Sequence, residues 1–202
     1  MFYAFFNTGS GLLMKMSDCL NKMLEESDFS GEKWSACTQE MKMYYVESQE
    51  NYRQTVKRLS KVFITPLDRE SIHQLSVDLH AVARTVYLVP RSIARGKNDL
   101  PDIHIQKLGR CVNSLSAEMV DMIAEIGTEK RLFVLQHSRN IYAIKREMDI
   151  AYDHALKKLY EDMDNPAQFI RKLEGYNALK EVSVFCRNAA HTAEGIVLTH
   201  VG

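Results

Sequence analysis

The chain is expected to be all-α, with six helices arranged as two tandem three-helix repeats. Three observations lead there. Apolar residues recur at intervals of three and four along almost the whole length, and strand-like alternation is nearly absent. A helix–turn–helix device also returns one hundred residues after its first appearance. The first copy is Phe63-Ile64-Thr65-Pro66-Leu67-Asp68-Arg69-Glu70-Ser71-Ile72-His73, and the second is Asn165-Pro166-Ala167-Gln168. Proline suits a first helical position, where its missing N–H would have no partner. Thr65 reads as the cap, and Asp68 stands where a helix dipole favours an acid. Laid over each other without a gap, Glu47 falls on Glu147, Tyr52 on Tyr152, Lys57 on Lys157, Leu59 on Leu159, Leu79 on Leu179 and Val82 on Val182. That register marks a duplicated unit of about 100 residues.

Residues 1–202 are expected to form one domain, with repeat one over about 12–96 and repeat two over about 101–198. Segment 1–11, with Phe2, Phe5 and Phe6, is too short to span a bilayer and reads as an apolar arm that docks on the bundle or a partner. A start at Met14 is an alternative. Leu13, Met16, Leu20 and Met23 make the first stripe, ended by Asp28-Phe29-Ser30-Gly31. The second helix, about Glu32 to Val62, carries Met41, Tyr45, Ser48, Tyr52, Thr55 and Leu59. The third starts at Pro66 with Ile72, Leu75, Leu79, Val82, Val86 and Val89, and Pro90 bends or interrupts its end. After the polar linker Arg95–Pro101 comes the cleanest stripe, Ile105, Leu108, Val112, Leu115, Met119, Met122 and Ile126. Gly127 is expected to stop that helix and Thr128 to cap the next. The fifth helix reaches about Met163 with Ile141, Ile144, Met148, Ala155 and Leu159 on its face, and the sixth runs from Pro166 to about Leu198.

Composition narrows the function. Apolar residues make up 46% and charged residues 26% of the chain, which is a globular balance. Lys+Arg and Asp+Glu stand at 26 each, and a nucleic-acid binder normally carries a basic excess, so none is expected as a partner. Cys19, Cys37, Cys111 and Cys186 lie far apart and read as buried free thiols of a cytoplasmic protein. Catalysis has no candidate residues: phosphate-cradling glycine loops, HExxH and GxSxG are all missing. His137, His154, His191 and His200 are scattered and read as surface or packing residues. Glu70 and His73 form an ExxH, but a ferritin-like iron site needs a second such pair, and positions 170 and 173 are Ile and Leu. Arg53, Lys57 and Lys61 share one side of the second helix, where a solvated face is the default reading.

The segment Phe63–His73 closely resembles the "F-I-T-P-F/L-D-R-E-D-I" motif of the divergent PhoU-like family of phosphate transport regulators. Ala193-Glu194-Gly195-Ile196-Val197-Leu198 is similar to that family's closing "I-E-G-I-V-L". The resemblance runs from about residue 12 to the end. It implies a six-helix PhoU-like bundle, a cytoplasmic protein without catalysis, and work beside an inorganic phosphate permease or another membrane-associated partner, peripheral to the inner membrane. It also implies acidic clusters that hold divalent or ferric metal, and here this chain departs from the family. The family's third-helix acids are replaced in Leu79-His80-Ala81-Val82-Ala83-Arg84, and those of the sixth by Lys180, Arg187 and Asn188. Glu47, Glu50, Glu147 and Asp149 remain. Hard multinuclear metals need several converging carboxylates, so the metal site is expected to be lost.

An antiparallel hairpin turning near residues 64–66 sets Glu47 level with Arg84 and Glu50 level with His80. In the second repeat Asp149 comes level with Lys180, and Glu147 with Val184, one turn from Arg187. The expectation is that side-chain cations replace the metal through direct ion pairs, against the plainer reading of unrelated charges on a solvated face. Function is therefore expected to be phosphate-transport regulation by docking, with a homodimer suggested by the apolar N-terminal segment. The alternatives are a metal-binding bundle with a reduced carboxylate site, or a scaffold that has lost it.

Overall fold

The three-and-four spacing becomes six helices with buried stripes. The computed structural model describes residues 1–25, 31–93, 102–128, 130–161 and 165–199. These form α1 (Phe2–Glu25), α2 (Glu32–Lys61), α3 (Arg69–Ile93), α4 (Ile103–Glu125), α5 (Arg131–Glu161) and α6 (Pro166–Thr199), with no strand among the described residues. The linker Arg95–Pro101, most of the break after α1, and residues 162–164 lie outside them. All six apolar residues expected on α3 are buried, as are all seven on α4 and the turn after it.

Helices α1, α2 and α3 pack on one another, and so do α4, α5 and α6. The two units meet through α1 against α4 and α3 against α6. Four helices, α1, α3, α4 and α6, thus form the interior, while α2 and α5 flank it and touch only their own unit. Helix α6 packs against three helices, as α1, α3 and α4 each do. Ala189, Ala190 and Ala193 on it are fully buried and let the neighbouring helices approach closely. Polar contacts cross both joints. Thr192 donates to Asp78 across α3–α6 at 2.6 Å, and Asn113 donates to Asp18 across α1–α4 at 2.8 Å.

Three local expectations are corrected. Residues 2–11 are not an arm. They are the first half of α1, continuous with the helix, because Phe2, Phe6, Gly9 and Ser10 are buried in line with Leu13 and Met16. Next, α3 starts at Arg69 and not at Pro66. The Asp68 carboxylate accepts from Ser71 N at 2.9 Å, which is the N-cap contact, whereas the Thr65 hydroxyl donates to Leu67 O. In the second repeat the cap does fall directly before the proline, with Asn165 accepting from Ala167 N and Gln168 N. Finally, α3 continues through Pro90 to Ile93. Gly127 does follow the end of α4 as expected, though without a left-handed conformation. Helix α4 ends at Glu125, and a Cβ at 127 would stand about 3.0 Å from the Tyr3 ring, tighter than ordinary contact. Close approach, not backbone reversal, accounts for that glycine. Thr128 accepts from Lys130 N at 3.2 Å, just ahead of α5.

The two candidate caps of α3 are separable by mutation. Asp68→Ala should lower unfolding free energy by about 1 kcal/mol, the usual loss for an N-cap. Thr65→Ala should cost clearly less. Urea titrations of both variants decide between them, and a larger loss for Thr65→Ala would contradict the assignment.

Candidate functional site

Helices α2 and α3 run antiparallel, and their shared outer face holds a column of aromatic rings. Tyr45 stacks on Tyr87 with centroids 4.3 Å apart and planes 8° apart, and Tyr52 stacks on His80 at 4.9 Å and 9°. Tyr45 and His80 are near-parallel at 6.2 Å and continue the column. The Arg91 guanidinium closes it, 5.1 Å over the Tyr87 ring. The hairpin register deduced from equal rise is therefore right, but the chemistry at each level is different. Glu50 pairs with Arg53 on its own helix at 3.8 Å, not with His80. Glu47 and Arg84 are both exposed, and no ion pair joins them. The rings won because stacking buries apolar area, whereas an exposed pair of long side chains gains roughly 0–1 kcal/mol. His80 Nδ1 is buried without a hydrogen-bond partner. Burial, and then the nearby Arg84 and Arg53 charges, hold its pKa below the ordinary value of 6.5.

The second repeat keeps one ring and adds cations. Lys180 lies over Tyr152, its Nζ 3.9 Å from the ring centroid, and the Tyr152 hydroxyl donates to Asn177 at 2.6 Å. Lys180 thus serves the ring and not Asp149. The cation for Asp149 comes from one turn earlier on α5, where Lys145 donates to Oδ2; Oδ1 is buried with no partner. Arg187 and Asn188 are exposed neighbours that bond each other at 3.2 Å. The expected ion pairs of Glu47 with Arg84, Glu50 with His80 and Asp149 with Lys180 are therefore not formed, and the ion pair that Asp149 does make, with Lys145, was not foreseen.

No protein-family model matches the chain. UPF0111 protein YkaA of Bacillus subtilis (strain 168) is 27% identical over 159 residues, covering 78% of this chain and 77% of that protein. Among solved structures, a PhoU-like protein from Shewanella oneidensis MR-1 superposes with a TM-score of 0.79 at 14% identity, over 98% of this chain and all of that one. PhoU from Pseudomonas aeruginosa superposes at 0.72 with 17% identity, over 98% of this chain and 96% of its own. The fold is PhoU-like. The all-α bundle of six helices read from the sequence superposes on those structures over nearly its whole length.

Against this PhoU-like frame, the donors present do not fit a multinuclear metal centre. Glu47, Glu50, Glu147 and Asp149 are not brought together, and no three His, Cys, Asp or Glu side chains converge among the described residues. An ammonium group bonded to Asp149 and rings at the levels of the missing acids are poor surroundings for a hard cation.

The motif residues do have evident work. While Asp68 caps α3, Arg69 donates to Val62 O and Leu59 O, each at 2.6 Å, and so closes the C-terminus of α2. Two neighbouring side chains therefore cap both helices of the turn. Glu70 and His73 are exposed on the first turn of α3. At the other end of the chain, Glu194 accepts from Ser138 at 2.6 Å and Tyr142 at 2.8 Å and ties α6 to α5.

Sequence reasoning missed two polar clusters. Glu118 accepts from Asn140 at 3.1 Å and lies 2.7 Å from His137 Nδ1, so His137 is a joint between α4 and α5 and not a lone surface residue. Asp102 caps α4 and also accepts the buried Tyr176 hydroxyl at 2.6 Å, with Lys172 at 3.5 Å. An Asp just before an apolar stripe was the available cap signal; its second partner lies 74 residues away. Of the cysteines, Cys19 and Cys186 are buried, but Cys37 and Cys111 are only partly so. Burial pushes the Cys19 thiol up to about 11, helped by Glu40 beside it, and Cys186 to about 12. Neither is a thiolate nucleophile near neutral pH.

His80 makes acid stability the useful probe of the ring column. Its native pKa lies below the unfolded value, so the unfolded chain binds the proton more readily. The neutral ring's contribution is complete above the unfolded pKa near 6.5 and is lost as pH falls below it, levelling once the depressed native value is passed. Melting temperature should therefore drop less in His80→Phe than in the parent chain between about pH 8 and about pH 5. An equal drop in both would show that His80 titrates freely.

Proposed function

We propose that this chain is a non-catalytic regulator or accessory protein of inorganic phosphate transport. It acts by protein–protein docking on a phosphate permease or another membrane-associated partner, at the cytoplasmic side of the membrane. The observation that carries the reading is the PhoU-like fold over 98% of the chain. A second Shewanella oneidensis MR-1 structure, whose name connects it with PhoU-like phosphate regulation, superposes at 0.78 with 13% identity and supports the same reading. No helix of the described residues is long and apolar enough to cross a membrane, so contact with a permease would be made from outside the bilayer. In this reading the family's metal chemistry has been exchanged for ring stacking on α2–α3 and for Lys145 on α5.

Tagged protein recovered from native membranes should enrich a phosphate permease over an untagged control. Recovery of soluble proteins alone, with no transporter, would leave the regulator reading without a target and overturn it. The same purified protein should carry iron, zinc and manganese at well below one equivalent per chain by elemental analysis. A stoichiometric metal that is lost in Asp149→Ala or Glu147→Ala would instead establish the reduced carboxylate site.

A further inference from the structure

One end of the bundle concentrates apolar side chains that the interior does not use. Phe63 and Ile64, in the turn between α2 and α3, are 98% and 85% exposed, and Leu132 and Phe133, at the start of α5, are 79% and 53% exposed. Both pairs lie at the same end, because Tyr3, Leu67, Gly127, Arg131 and Ile196 line one cleft there. That cleft joins the start of α1, both turns and the end of α6. The turn bearing Phe63 is also held firmly, since Arg69 is bonded to the last carbonyls of α2 and Asp68 to the first turn of α3.

The charges at this end are not those of the whole chain, which is neutral. Lys57, Arg58 and Lys61 line one shallow groove beside Phe5 in the last turns of α2. Lys130 lies 5.6 Å over the Phe133 ring, and Arg131 follows it. Carboxylates at this end among the described residues include Asp68, which caps α3, Glu125, which is 3.7 Å from Lys130, and the exposed Glu70. Glu129 adjoins in sequence. Cations thus surround two projecting apolar pairs. This combination suits the boundary between lipid headgroups and acyl chains, where apolar tips enter and long basic side chains reach the anionic groups.

We propose that this end of the bundle docks on an anionic lipid bilayer. Phe63, Ile64, Leu132 and Phe133 enter its surface, and Lys57, Arg58, Lys61 and Lys130 face its headgroups. The exposed part of the FITP motif is then a membrane contact, while its Asp–Arg part is the brace that holds it. The inference goes beyond the regulatory reading, which needs a protein partner and not lipid affinity.

Flotation with phosphatidylglycerol-containing vesicles, and with phosphatidylcholine vesicles as the neutral control, tests it on the full chain. Binding should be seen with the anionic vesicles and should weaken at high salt. Phe63→Ser with Ile64→Ser should reduce it at least about tenfold, and Lys57→Gln and Lys61→Gln about fivefold each. All four side chains are exposed, so unchanged circular dichroism and melting should accompany the losses. Absence of binding to anionic vesicles overturns the inference, as does equal binding by parent and variants. A concentration-dependent dimer that the Phe63→Ser, Ile64→Ser variant abolishes, without lipid binding, would assign the face to a second copy of the chain and also overturn it. Capture of a permease by a chain that ignores lipid would remove this inference and leave the regulatory reading standing.

Discussion

The structure depends on burying α1, α3, α4 and α6 against one another. These four helices join the two repeats, and residues such as Leu13, Met16, Leu75, Val86, Leu108, Leu115, Leu179 and Cys186 are fully enclosed there. Each large aliphatic side chain taken out of water contributes on the order of 1.5–3 kcal/mol, so this interface outweighs any surface contact in the molecule. It also dictates what the other helices can be. Because α2 and α5 pack only within their own units, each has one face committed to the core and a broad face that packing leaves open.

Those open faces carry most of the side-chain chemistry that packing leaves unused. On α2–α3, a histidine and three tyrosines stack in one column and gain from planar contact. On α5, Lys145 satisfies one oxygen of Asp149. His80 Nδ1 and Asp149 Oδ1 stay buried without hydrogen-bond partners. Buried polar atoms are usually satisfied, so both are local costs that the surrounding packing must offset.

The fold was largely legible in the sequence, for a physical reason. Periodic burial is written directly into residue spacing, and the stripes on α3 and α4 agree with the structure residue for residue. Helix α6 was harder to read because small or polar residues such as Gly175, Ser183, Ala189, Ala190 and Ala193 take many of its buried positions, so hydrophobicity alone marks its inner face less sharply. The site was legible only in level. Equal rise per residue set His80 level with Glu50 and Lys180 level with Asp149, yet the rings they meet are Tyr52 and Tyr152; choosing a partner at one level depends on side-chain direction, which spacing does not encode. Glu50 therefore turned to Arg53 and Asp149 to Lys145, each on its own helix. The cap of α3 was misplaced by three residues because Thr65-Pro66 and Asp68 are both sound start signals; the backbone stays irregular through Thr65 and Leu67 before Asp68 takes the role.

That irregular turn shows what the FITP segment contributes. A flexible apolar loop would fold back and bury Phe63, since the chain gains by hiding an aromatic ring from water. It stays 98% exposed because its two ends are fastened. Arg69 reaches across the turn to the carbonyls of Leu59 and Val62, while Asp68 starts α3 one residue earlier. Charge-assisted hydrogen bonds to backbone are among the stronger polar contacts, and these two sit side by side. An apolar tip held in place loses little conformational freedom when something binds it, so the cost of ordering has been met by the fold itself. The motif is thus one device: polar residues that stop two helices and hold the apolar pair between them outward.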